Sequence, residues 1–204
     1  MDKSKRDGNT EQKILQAAKK IFIVKGLAGA RMQDIADEMG MNKALLHYYF
    51  RSKDKLFETI FKEATSQFIP RLNQIFQSDL GLFKKIETFC SEYLERIIEN
   101  PFIPLFILNE INKQPYSFLQ KMFGGKKPEI NKFIQQVKQE VKKGSIRQIE
   151  PVQLLMNMMS MCVFPFVAKP LWKFVGGITD EQFMQLMKAR KKQVPAFIIK
   201  SLKK

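Results

Sequence analysis

Apolar residues recur at helical spacing along the whole chain, and nowhere do they alternate as in a half-buried strand. Ile14, Ala17, Ala18, Ile21 and Phe22 mark one face of a first helix, which Thr10 is placed to cap and Gly26 to stop. Lys13, rather than Glu, at the third position denies that cap a capping box. Ahead of it, Met1–Asn9 is expected to be a charged tail. Its Lys3, Lys5 and Arg6 are either solvated or part of a flexible arm that touches phosphate or the minor groove. A second helix, Arg31 to Met39, turns Ile35, Ala36 and Met39 inward and Gln33, Asp34, Asp37 and Glu38 outward. Gly40 follows, where a left-handed residue is needed, and Asn42 caps a third helix, Lys43–Phe50. A turn of about three residues between two short helices fits a helix-turn-helix.

Ser52 caps a fourth helix, with Asp54 in its first turn and a stripe of Leu56, Phe57, Ile60, Phe61, Ala64, Phe68 and Ile69. Pro70 lies inside this pattern and must kink or end the helix. Helical patterns continue over 82–98, 102–112, 116–123 and 128–143. The segment 151–167 starts with proline in its first turn and is apolar nearly all round. Thr179-Asp180-Glu181-Gln182 is a capping-box signature for a last helix, which Pro195 should bend or split. The expected fold is all-α with about nine helices: a three-helix unit over 1–55 and a larger helical body over 56–204.

Composition narrows the partners. Apolar residues make up 45% of the 204, enough for a packed core, and a net charge of +15 suits a polyanion, either nucleic acid or an anionic membrane surface. That excess is spread along the chain, so charge alone does not locate a binding face. The N-terminal residues lack an apolar signal region, and the longest apolar run, 154–168, contains Asn157, Ser160 and Pro165 and falls short of the ~18 residues of a membrane span. Cys90 and Cys162, far apart and inside apolar runs, read as buried thiols of a cytoplasmic protein.

Catalysis finds no footing. The single histidine, His47, has no acid or thiol arranged around it as a triad or metal site, and no phosphate-binding glycine loop occurs. No cofactor and no metal are expected. The third helix is different: its exposed face offers Lys43, Ala44, His47 and Tyr48, with Tyr49 nearby, while Leu46 and Phe50 point inward. A small residue permits close approach, Lys and His donate to base edges or phosphates, and tyrosine hydroxyls reach phosphate oxygens. By spacing alone, an ordinary amphipathic helix with an aromatic stripe remains open.

The stretch GLAGARMQDIADEMGMNKALLHYYFRSKDKLF resembles the DNA-binding domain of tetracycline-repressor (TetR) family regulators. The resemblance rests on Ile35-Ala36, Gly40, the Tyr48-Tyr49-Phe50 run and Ser52-Lys53, over about the first quarter of the chain. It implies a homodimer whose two recognition helices enter successive major grooves of a palindromic operator in double-stranded DNA. The DNA-facing positions would be Arg31, Gln33, Lys43, Ala44, Leu45, His47, Tyr48, Tyr49 and Lys53. Three departures stand out: Ala30-Arg31 replaces a capping Thr or Ser, Leu45 a threonine, and His47 a tyrosine.

For the body, the resemblance implies dimerisation through the last two helices and binding of a small effector. Leu155, Met159, Cys162 and Phe166 on one helix and Phe183, Leu186, Met187, Val194 and Ile198 on the other are the candidate interface; burial in the subunit's own core is the competing role. The Phe- and Met-rich interior suggests a hydrophobic or aromatic effector. Its candidate lining is Phe89, Tyr93, Phe106, Asn109, Phe118, Met122 and Met158, with Glu110 or Asn157 as further polar anchors. The expected function is a ligand-responsive repressor. A helical protein-interaction scaffold without sequence-specific DNA binding, and a basic protein of a membrane surface, are the readings from other classes.

Overall fold

The computed structural model describes residues 3–204, with the side chains of residues 3–7 and 67 left aside. The expected phosphate contacts of Lys3, Lys5 and Arg6 therefore lie outside the described side chains. Among the described residues there are eleven helices and no strand, two helices more than expected. The chain divides into two compact units, one reaching Ser66 and the other running from Gln67 to Lys204.

In the first unit, α1 (Lys3–Gly29) begins well before Thr10. No proline precedes Thr10, and Gly8 costs a helix only about 1 kcal/mol, so the expected tail is helical from Lys3 on. The break does come at Gly26, whose φ of 67° and ψ of 169° interrupt the helix. Ile14, Leu15, Ala17, Ala18 and Phe22 are buried, and Ile21 is half-buried. They form the floor for α2 (Met32–Met39), α3 (Lys43–Tyr49) and the first turns of α4 (Lys53–Gln77). From these come Ile35, Ala36, Leu46, Leu56, Phe57 and Ile60, all buried, with the Phe57 ring edge-on to Phe22 at 5.5 Å. Ser52 accepts the Lys55 N–H at 3.1 Å and so caps α4.

The second unit contains α5 (Leu82–Glu99), α6 (Ile103–Lys113), α7 (Pro115–Met122), α8 (Asn131–Lys142), α9 (Pro151–Val167), α10 (Lys169–Gly176) and α11 (Asp180–Leu202). Phe89 and Leu94 of α5, Phe133 of α8, Met158 of α9 and Phe183 of α11 meet in its core. Cys90 and Cys162 meet there too; hydrogen bonding between the two thiols, and then desolvation, push the Cys162 thiol far up. The capping box of α11 is complete: Thr179 Oγ1 accepts the Gln182 N–H at 3.2 Å, and Gln182 Oε1 accepts the Thr179 N–H at 2.8 Å.

Two expectations fail here for physical reasons. Pro70 and Pro195 do not end their helices, and Pro165 lies within α9 as well. Each costs one backbone hydrogen bond, but burial on either side holds the helix together, as Val194, Pro195 and Ile198 do in α11. The second difference is α10, which periodicity does not disclose. Its Leu171, Trp172, Phe174 and Val175 are consecutive or nearly so, leaving no polar face to reveal a period. No single helix among the described residues is long and apolar enough to cross a membrane.

Lys85 is an unexpected core residue, 1% exposed, with its Nζ donating to the Phe76 carbonyl at 3.1 Å near the end of α4. It satisfies one of the carbonyls that a helix terminus leaves unpaired. Desolvation first, and the charge of Lys132 second, lower its pKa from the ordinary 10.5, against an opposing pull from Asp79. The unfolded chain therefore holds a proton that the native state has released in the window just below pH 10.5, and stability rises with pH through it. Urea midpoints taken across that window should climb for the wild type and stay flatter for Lys85→Met; parallel curves would show that Lys85 is not the source. A second prediction concerns Gly40, which sits at φ 60° with open space where a Cβ would be. Gly40→Ala should cost about 1–2 kcal/mol through backbone strain alone, read as faster hydrogen exchange of the α2 and α3 amides.

Candidate nucleic-acid interface

The geometry of α2 and α3 follows from how the chain stops and restarts between them. With Gly40 left-handed, the Gly40 N–H donates to the Asp37 carbonyl and the Met41 N–H to the Ala36 carbonyl, both at 3.0 Å. This pair of bonds closes the last turn of α2 and satisfies carbonyls that would otherwise be orphaned. Two residues later, Asn42 Oδ1 accepts the Ala44 N–H at 2.8 Å and starts α3. Leu46 is fully buried and Phe50 is 4% exposed, so the opposite side of α3 must face solvent.

Lys43, Ala44, Leu45, His47 and Tyr48 are all exposed, and Tyr49 is half-buried with its ring edge-on to Tyr48 at 5.4 Å. His47 Nδ1 lies 3.2 Å from the Arg51 carbonyl; as a neutral ring donating there, it leaves Nε2 as an acceptor. Gln33 is exposed on α2, its amide donating to Asp37 Oδ1 at 2.7 Å. Arg31 is exposed at the start of α2, where its backbone N–H donates to Asp34 Oδ2 at 2.9 Å; its side chain, having no acceptor, cannot cap the helix. Lys53 is half-buried, and its Nζ reaches the Ala28 carbonyl in the turn before α2 at 3.5 Å.

Charge in this unit is sorted. The acids of α2 are drawn onto α1, with Lys25 at 2.7 Å from Asp34 and Lys20 at 2.9 Å from Glu38. The hydrogen bond from Lys25, followed by that from the Arg31 N–H, holds the Asp34 carboxyl below its usual range. By contrast, Arg31, Lys43 and Arg51 have no carboxylate within 4 Å among the described residues. Arg51, exposed just beyond α3, is absent from the DNA-facing positions that the resemblance implies. Its place next to Lys53 in the sequence is the signal for it.

The residues expected in the second unit do not assemble as a group. Phe89 and Met158 are core residues; Tyr93 is half-buried, stacked on Phe89 at 5.3 Å and tilted against Phe68 at 5.2 Å. Phe106 and Phe118 pair edge-on at 5.9 Å between α6 and α7, Met122 is half-buried, and Asn109 is exposed. Most of the expected interface also turns inward. Cys162, Phe166, Phe183, Met187, Val194 and Ile198 are buried in the protomer's own core, so they offer a partner almost no surface. Leu155 is half-buried, whereas Met159 and Leu186 are 41% and 51% exposed. The outward faces of α9 and α11 instead carry Val152, Met156, Met159, Leu186 and Phe197.

Comparison with known proteins converges on one group. Residues 14–60 match the family model described as bacterial regulatory proteins, tetR family. The HTH-type transcriptional repressor NicS of Pseudomonas putida is 36% identical over 59 residues, covering 29% of this chain and 28% of that protein. The HTH-type transcriptional repressor KstR2 of Mycolicibacterium smegmatis is 25% identical over 85 residues, covering 42% of each. The chain thus aligns with less than half the length of these curated relatives. Among solved structures, the hemolysin II transcriptional regulator HlyIIR is 22% identical, with a TM-score of 0.63 over 97% of this chain and 99% of that one. The probable transcriptional regulatory protein RHA5900 gives a TM-score of 0.68 at 17% identity, over 95% and 99%. These two likenesses speak to the fold. Through the helix-turn-helix that α2 and α3 build, the chain belongs to the tetR family of bacterial regulatory proteins.

Proposed function

We propose that the chain is a cytoplasmic, homodimeric transcriptional repressor that binds a palindromic operator in double-stranded DNA and is released by a small, mostly hydrophobic effector. The observation that carries this reading is the face of α3. Lys43, His47 and Tyr48 stand exposed there on a helix whose other side is anchored by Leu46 and Phe50, and Arg31, Lys43 and Arg51 lack a carboxylate partner among the described residues. Cations that the fold leaves uncompensated are what a polyphosphate attracts, while the α3 side chains reach base edges. A helical scaffold has no need of such sorting.

A second copy of the chain is the partner we assign to the outer faces of α9 and α11. Val152, Met156, Met159 and Val163 recur at spacings of four, three and four along α9, and Phe197 is 62% exposed on α11. An apolar stripe of this period, facing outward, suits helix pairing across a two-fold axis. Two recognition helices on half-sites one turn apart need a spacing of about 34 Å. An effector that prefers another spacing draws the population away from the DNA-competent state.

Substituting both Lys43 and Tyr48 with Ala should abolish operator binding in a mobility-shift assay while sedimentation still reports a dimer; normal binding by that variant would remove the assignment of α3. Loss of Lys43 alone should lower the slope of log K against log salt by about 1, the signature of one phosphate contact. Met159→Glu combined with Phe197→Glu should yield a folded monomer by light scattering. A dimer that persists would place the interface elsewhere.

A further inference from the structure

We propose that a cavity between α9, α10 and α11 binds an amphipathic monocarboxylate, with its apolar body among aromatic and aliphatic side chains and its carboxylate at Arg190. This gives the effector of the proposed repressor a site and a chemical class. It rests on that reading only for its regulatory consequence, since binding can be measured without DNA.

The cavity has a volume of about 620 Å³, within the range of ligand pockets. Phe164, Trp172, Phe183, Leu186 and Met187 supply most of its wall. Against this apolar lining stands one charged residue, Arg190, with Ser160 and Gln193 as neutral polar neighbours and no acidic side chain among the lining residues. The guanidinium is held in place: its Nη2 donates to the Met161 carbonyl at 2.7 Å. It is also left wanting, since its Nε is buried without a partner and no carboxylate lies within 4 Å among the described residues. The acid at the start of α11, Asp180, is already shared by Lys169 at 2.5 Å and Lys173 at 3.0 Å.

A cation set into an apolar wall without a counter-charge is expensive, and the same low-polarity surroundings strengthen its attraction for an anion that arrives. A carboxylate would supply the missing charge through charge-assisted hydrogen bonds. A single cation matches a monoanion, and the remaining wall favours a hydrocarbon or aryl body over a polar one. A neutral ligand of the same shape would fill the space and leave the guanidinium unmatched, whereas a cationic one would be repelled.

Trp172 is the chain's sole tryptophan, so intrinsic fluorescence of the full-length protein reports on this cavity directly. Titration with decanoate should give a saturable change, and decanol should bind at least tenfold more weakly. Arg190→Gln should lose at least tenfold in decanoate affinity with decanol unaffected, while Arg190→Lys, which keeps the charge, should recover part of the loss. Circular dichroism confirms that each variant is folded. Equal binding of acid and alcohol, or decanoate binding indifferent to Arg190→Gln, would overturn the assignment, as would the absence of any saturable response. A mobility-shift arm with decanoate separates the two claims: binding without release from DNA would leave the site standing and remove its regulatory role.

Discussion

A single left-handed residue sets the direction of what the first unit presents. Because Gly40 adopts φ 60°, α2 ends in a closed turn and the chain restarts at Asn42 at the angle that seats Leu46 and Phe50 on α1. Once those two are buried, helical geometry dictates the rest: positions 43 and 47, and 44 and 48, share the far side. The exposure of Lys43, His47 and Tyr48 is therefore a consequence of packing, not an independent feature.

Electrostatics then divides the unit. Pairing Asp34 and Glu38 with the lysines of α1 removes negative charge from α2 at distances of 2.7 and 2.9 Å. Surface pairs of this kind contribute little to stability, often well under 1 kcal/mol. What they do is decide where positive charge is left over. The same accounting in the second unit leaves Arg190 without an acid in an apolar setting, so uncompensated cations occur in two unlike surroundings, one solvated and one half-buried. Solvated cations suit a polyelectrolyte; a half-buried one suits a single small anion.

The local signals were legible in the sequence because each acts within a few residues. The caps at Asn42 and Ser52, the Thr179–Gln182 box and the glycine turn depend on neighbours in the chain, and the structure contains all of them. Signals that depend on the third dimension were not legible. An apolar residue on α9 or α11 reads the same whether it faces its own core, as Cys162 and Phe183 do, or faces outward, as Met159 and Leu186 do. Lys85 reads as a surface lysine until the end of α4 is placed above it. Helix α10 escapes notice because four exposed apolar residues leave it without a polar face.

One detail of α4 has mechanical meaning. Pro70 has no N–H, so the carbonyl four residues earlier, that of Ser66, cannot receive its usual helical hydrogen bond. Ser66 is also the last residue of the first compact unit. The rung missing from the ladder therefore coincides with the point where one body of contacts gives way to the other. Bending stiffness along a helix is carried by those rungs, so α4 is least stiff at the turn where the two units are covalently joined.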